Sequence, residues 1–251
     1  VNFSQETGEA YLLARAARLV QFGVMKPLKL YYSPGACSLV SHIALEEVGV
    51  AFEPLRIPIA DGGNLTPEYL AINPHARLPA LGTERGIITE NIAVLNFIAD
   101  RFGAAGSVPR GDAYAAARCN ELLGWFASSV HIAFAQVWRG GRFTEDDRLW
   151  PALEDGGRKI LARQFDEIES LCVDEWLVPG QFTAADSYAL TFLRWARRIG
   201  FDLARYPRWV ALAGRVAGRP AVLRAIDVEG LRVEDFQPEH EVATTGATAA
   251  A

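Results

Sequence analysis

Strand signals fill the first part of this chain and stop near residue 104. Up to there, short strands and helices alternate. Leu30–Tyr32 reads as a strand, and a helix through Leu39 and Ile43 follows it and stops at Gly49. Then come a strand over Phe52–Ile59, a one-turn helix at Thr66–Leu70, strands at Pro79–Leu81 and Gly86–Thr89, and a helix from about Asn91 to Arg101. The order is β-α-β-α-β-β-α. Pro54 and Pro58 limit ladder bonding in the second strand, which places it at an edge or frays its ends. Thr66 is an N-cap, with Pro67 in the first helical position. From Asp112 onward the apolar spacing is helical only, with candidate helices over 112–138, 145–172, 184–199, 207–218 and 220–226. Residues 103–111 are small and turn-rich. They separate an α/β domain, 26–104, from an all-α domain, 112–230.

The chain has 251 residues, half of them hydrophobic, enough for a sizeable core. A net charge of −5, with no basic cluster interleaved with aromatics, argues against nucleic acid as partner. No apolar run approaches the roughly 18 residues needed to span a bilayer, so no membrane partner is expected. The three cysteines, at 37, 119 and 172, have neither disulfide-framework nor metal-ligand spacing. The four histidines, at 42, 75, 131 and 240, form no His-Glu-x-x-His pair. The expectation is a cytoplasmic protein without a metal. Residues 1–25 lack signal-peptide features and read as an extension outside the fold, with Met25 as an alternative start. Residues 231–251, small and polar beyond Phe236, read as a disordered tail.

Cys37 carries the sharpest chemistry. It lies in the first turn of the helix that leaves the strand-to-helix loop Ser33-Pro-Gly-Ala, beside Ser38. Unpaired N–H groups and the positive helix end there favour a thiolate, the protein's own or a ligand's. The position three residues before it is Pro34, so no Cys-x-x-Cys redox pair exists. Cys119 and Cys172 sit mid-helix among apolar residues and read as core. Pro79 opens a strand after a loop. Either it is an ordinary trans turn proline, or it is cis and presents the Leu78 main chain to an extended ligand. Glu90 and Asn91 precede a helix. Together they offer a seat for an ammonium and a carboxylate, or plain capping with Glu90 solvated. His131, flanked by Phe126, Val130 and Phe134, reads by itself as a core or rim residue. Thr183 and Asp186 form the capping-box pattern that opens a helix, so Asp186 is assigned a structural role.

These pieces occur together and in order in one family. Over residues 27–230 the chain resembles the glutathione transferases, most closely the bacterial beta class. The resemblance rests on the run Lys29 to Ser38, Asn73-Pro74 with Leu78 to Leu81, Thr89-Glu90, Phe182 to Asp186, and Leu193 to Ala196. It implies a thioredoxin-like α/β N-terminal domain, an all-α C-terminal domain, a homodimer, and glutathione as co-substrate without a metal. It implies a catalytic set of Cys37, Ser38, Tyr32 and His131. Cys37, Arg77, Leu78, Pro79, Glu90 and Asn91 are the implied glutathione-binding residues, with Pro79 as the family's cis-proline. Trp125, Phe126, Phe134 and Trp195 are expected to line the second-substrate pocket. The chain departs from the class at Asn91, where Ser or Gly is usual, at Ile132 for a Lys and at Gly124 for an Asn. The loop Ala60–Gly63 lacks a lysine for the glycyl end, a role Arg77 can fill.

The resemblance implies a detoxifying transferase that joins the glutathione thiolate to a small hydrophobic electrophile. Two rival readings stand beside it. One is glutathione-dependent thiol–disulfide or peroxide reduction through a Cys37 mixed disulfide. The other is a non-catalytic ligand- or protein-binding member of the fold.

Overall fold

The computed structural model describes residues 27–236. The expectations for residues 1–25 and for the chain beyond Phe236 fall outside them. Strand β1 (Leu28–Tyr32) buries Leu28, Leu30 and Tyr32 on one face, the period of a half-covered strand. It pairs in parallel with β2 (Phe52–Arg56) and antiparallel with β3 (Ala80–Thr83), which turns back into β4 (Gly86–Thr89). The sheet order is β2-β1-β3-β4. β2 is therefore an edge, where Pro54 leaves no ladder bond unmade. It ends earlier than expected. After Ile57 N–H donates to the Tyr32 carbonyl at 2.7 Å, Pro58 has no N–H to offer, and residues 59–61 and 63–65 coil into tight turns.

Helix α1 (Ser38–Val48) packs on the sheet and stops at Gly49, whose φ of 67° suits glycine. The one-turn α2 (Pro67–Leu70) is capped by Thr66, whose hydroxyl oxygen accepts from the Tyr69 N–H at 3.3 Å. Helix α3 (Asn91–Phe102) follows β4 and completes the domain.

The segment expected as one helix over 112–138 has three parts. They are α4 (Ala113–Trp125), a π-helical turn over Phe126–Val130, and α5 (His131–Trp138). Such wide turns recur at functional sites, and this one leads directly into His131. Next come α6 (Trp150–Leu171), α7 (Ala184–Arg198), α8 (Pro207–Ala217) and α9 (Pro220–Val228). α6 starts later than expected because Asp146 caps a separate turn over Asp147–Leu149. Cys172 caps the end of α6 instead of lying mid-helix. Residues 231–236, expected as tail, are ordered. Val233–Phe236 forms a turn, and Phe236 is fully buried beneath the Arg194 guanidinium, 5.6 Å from the ring centroid.

α7 is the axle of the helical domain, buried from Ala184 to Ala196. Its Phe192 meets Phe126 and Phe134 at centroid separations of 5.4 and 5.6 Å. Phe126 and Phe134 are thus wholly buried core and not pocket lining, a correction to the expectation for both. They point inward because α7 lies across that face of α4 and α5. The capping box at the start of α7 is present. Asp186 accepts from the Thr183 N–H and the Leu177 N–H, both at 2.8 Å, and from the Thr183 hydroxyl at 3.1 Å. Burial nevertheless pushes its carboxyl up to about 6, against the lowering effect of those donors.

The two domains meet along α1. Arg219 forks onto Glu47 at 2.7 and 3.0 Å, and Arg224 reaches Glu46 at 2.7 Å. Between them His42 Nδ1 lies 2.9 Å from Glu229, both side chains completely buried.

Candidate active site

The loop Ser33–Cys37 joins β1 to α1, and the second domain holds it. Gly35 N–H donates to Glu229 Oε2 at 2.7 Å, and the Gly35 carbonyl accepts from Trp195 Nε1 at 2.8 Å. Arg194 Nη1 approaches the same carbonyl at 3.4 Å. Gly35 has a φ of 65°, and a Cβ there would collide with the Arg194 guanidinium. The positive φ strains any side chain there, and Arg194 would have to shift to admit one. Ser38 is buried and braces the loop: its hydroxyl donates to the Ser33 carbonyl at 3.3 Å and accepts from the Ser33 N–H at 3.2 Å. Tyr32 turns its hydroxyl to the Val228 carbonyl, 3.5 Å away. Among the described residues no hydrogen bond links it to Cys37 or Ser38.

Cys37 occupies the N-cap position of α1, and its thiol donates to the Leu78 carbonyl at 3.4 Å. The Leu78–Pro79 peptide bond is cis. The expectation of a thiolate is corrected for the protein's own sulfur. Burial pushes the Cys37 thiol up to about 12, and Glu90 adds to the rise, while Arg139 and the helix-end N–H groups only partly offset it. Desolvation of the charged form outweighs the helix end here.

Asn91 spends its side chain inside the fold. It donates to the Cys37 carbonyl at 2.8 Å and to the Tyr188 hydroxyl at 2.9 Å, and accepts from the Ser41 hydroxyl at 2.5 Å. Glu90 beside it is exposed, with a φ of 67° that non-glycine residues rarely adopt. Such conformations gather at binding and catalytic sites. Arg77 is exposed, and its carbonyl accepts from the Tyr69 hydroxyl and from Asn73 Nδ2, both at 2.7 Å, which fixes the loop before Leu78. His131 packs edge-on against Trp195 at 5.1 Å. Burial lowers its ring to about 4, with Arg139, Arg142 and Arg77 adding to the fall, so at neutral pH it is an uncharged imidazole.

The structure thus brings Cys37, Leu78, Pro79, Asn91 and His131 into one region, with Glu90 and Arg77 on its exposed side. The residues that sequence reasoning missed are Glu229 of the clamp and the arginines after α5, Arg139 and Arg142; Arg194 and Trp195 it named, but not as holding Gly35. The clamp lies far from Gly35 in sequence, and only its three-dimensional contact reveals it. The arginines follow His131 by eight and eleven positions, and that proximity was the available signal.

Two family models match the chain: "Glutathione S-transferase, N-terminal domain" over residues 26–100 and "Glutathione S-transferase, C-terminal domain" over residues 151–215. A glutathione S-transferase of Xanthomonas campestris is 30% identical over 206 residues, covering 81% of this chain and 100% of the relative. Among solved structures, a glutathione transferase homologue from Sulfitobacter with bound glutathione is similar at a TM-score of 0.77 and 31% identity, over 82% of this chain and 99% of that one. A bacterial beta class glutathione S-transferase from Sphingomonas chungbukensis is similar at a TM-score of 0.71 and 32% identity, over 81% and 100%. With a thioredoxin-like domain joined to a helical one and both family models matched in order, the chain belongs to the glutathione S-transferase family of transferases.

Proposed function

We propose that this chain binds reduced glutathione across the Cys37–Leu78 region and presents its thiolate to a small apolar electrophile. The carrying observation is the Cys37 thiol itself, buried, held neutral at about 12 and hydrogen-bonded to the Leu78 carbonyl. A neutral thiol is a poor nucleophile. The same S–H becomes a donor to a ligand's thiolate once the ligand's main chain takes over the Leu78 carbonyl. The end of α1 adds partial positive charge at that point. Glu90 faces the ammonium of the γ-glutamyl head, the Asn91 N–H its carboxylate, and Arg77 the glycyl end. In the reaction the glutathione sulfur bonds to the electrophilic carbon, the leaving group departs with its electron pair, and the thiol proton passes to solvent.

A free thiol near pKa 8.5 is only a few per cent ionised at neutral pH, so lowering it by about two units raises the nucleophile over tenfold. Conjugation is favoured over redox chemistry because the redox route needs Cys37 itself as a reactive thiolate. The same reading makes the protein a cytoplasmic homodimer with a role in detoxification.

The test is the ultraviolet absorbance of bound glutathione against pH, run beside turnover of chlorodinitrobenzene. Bound thiol titrating below free glutathione, with turnover surviving in Cys37→Ser, supports conjugation. An unshifted thiol, or turnover only of mixed disulfides and lost with Cys37, overturns it.

A further inference from the structure

Arg77, Arg139 and Arg142 converge on one flank of the site. Their guanidinium groups act together on the His131 ring, and Arg139 reaches Cys37 as well. Burial lowers the pKa of Arg142, and repulsion from Arg77 and Arg139 adds to the fall. Among the described residues none of the three guanidinium groups has a hydrogen bond or an ion pair. Nearby carboxylates are committed elsewhere: Asp146 pairs with Arg148 at 2.7 Å and Glu154 with Arg158 at 2.9 Å. Asp147 borders the same groove as Arg139 without pairing to it. In a chain of net charge −5, a cluster of three uncompensated cations is a local arrangement, held against its own repulsion.

Aromatic surface runs beside these charges. Trp138, directly before Arg139, is 41% exposed. It stacks on Phe134 at 5.2 Å and meets Trp195 edge-on at 5.3 Å. Trp195 in turn holds the Gly35 carbonyl of the Cys37 loop. On the other side, Trp138, Arg139 and the half-exposed Trp150 border an open groove of about 490 Å³. Two indole rings and the unpaired Arg139 guanidinium on one groove, with Arg142 three residues on, match a ligand that is both planar and negatively charged, because arginine binds carboxylate-like groups with a fork of donors.

We infer that Arg139 and Arg142 form an anion seat in the second-substrate region, and that the electrophile class this protein takes is aromatic anions bearing a carboxylate, sulfonate or phosphonate. The inference rests on the proposed transferase reading. Arg77, next to the glutathione-binding main chain, is left for the glycyl carboxylate, and the two arginines after α5 serve the second substrate. Glu90 keeps the negative charge of the region on the ammonium side.

The experiment compares chloronitrobenzoate with uncharged chlorodinitrobenzene, each rate divided by its uncatalysed rate. In both, the glutathione sulfur replaces chloride at the ring carbon and a proton goes to solvent. The full chain is compared with Arg139→Gln/Arg142→Gln, and with Arg139→Lys/Arg142→Lys, which keeps the charge. The glutamine pair is expected to lower kcat/KM for chloronitrobenzoate about tenfold or more, the loss of a charge-assisted hydrogen bond. Chlorodinitrobenzene, which feels the change only through the altered field at Cys37 and His131, should lose clearly less, with the lysine pair in between for the anion. Equal losses on both electrophiles, or a raised KM for glutathione, overturn the inference. Should neither electrophile turn over, the transferase reading fails by itself, and calorimetry with nitrobenzoate against nitrobenzene still decides the seat. Nitrobenzoate binding that the glutamine pair abolishes supports it, and binding that the pair leaves intact overturns it.

Discussion

Replacing Asp186 with Ala removes the acceptor of three hydrogen bonds at the start of the most buried helix. The N–H groups of Leu177 and Thr183, each 2.8 Å from the carboxylate, lose their partner out of reach of water. Each stranded donor costs about 1–3 kcal/mol. Opposing that, burial has raised the native carboxyl to about 6 from its ordinary value near 4. Its charge therefore costs the folded state about 3 kcal/mol at neutral pH, at about 1.4 kcal/mol per unit, a cost that alanine removes. The net loss at neutral pH is then at most about 3 kcal/mol. The pH dependence has a definite sign. A carboxyl with a raised folded pKa binds more protons in the folded state than in the unfolded state between the two values. Its contribution is fully present below about pH 4 and is lost as pH rises through about 6. Urea melts of wild type and Asp186→Ala should therefore differ more near pH 5 than near pH 7.5, by about 1 kcal/mol. Glutathione KM in the folded variant should barely move. A gap that narrows toward pH 5 refutes the burial argument. Unchanged stability with abolished turnover refutes the structural role altogether.

Two further substitutions probe the clamp on the Cys37 loop. Gly35→Ala forces a side chain into a φ of 65° and against Arg194. The conformation alone costs about 1–2 kcal/mol, so thermal melting should fall by several degrees and glutathione KM should rise. Melting within a degree of wild type would show that the loop relaxes freely. Glu229→Ala strips the acceptor from Gly35 N–H and from His42, both buried, and should cost about 2–5 kcal/mol in a denaturant melt. Glu229→Gln, which keeps an acceptor oxygen, should recover part of that loss, and equal melts for the two variants would count against the clamp.

Local signals in the sequence located most elements. Thr66 with Pro67, the Thr183–Asp186 box and Gly49 mark their helix ends by chemistry confined to a few neighbouring residues. The cessation of strand patterning after 104 marked the domain change for the same reason. What stayed hidden depends on contacts between distant segments. The apolar periodicity of α4–α5 shows that Phe126 and Phe134 are inward residues, but not that α7 covers them, so the sequence does not tell pocket lining from core there. The helix-end argument left open whether the thiolate is the protein's own or a ligand's, and burial, a property of the assembled fold, raises the thiol of Cys37 itself. Likewise Tyr32 and Ser38 are legible as residues near the cysteine, whereas their partners, the Val228 carbonyl for Tyr32 and the Ser33 main chain for Ser38, emerge only from the folded chain. Nothing local to Arg139 or Arg142 tells whether a carboxylate will fold over them.

Gly35 and its anchor Glu229 are separated by 194 residues. A nascent chain therefore makes the loop long before it makes the residue that holds it. The N-terminal domain can collect its sheet during synthesis. Its sulfur-handling loop, however, gains its Glu229 anchor only when α9 docks. Competence of the site is thus a late event in the life of each molecule, and a chain truncated before α9 would carry every residue of the glutathione-binding set in a loop that lacks its Glu229 anchor.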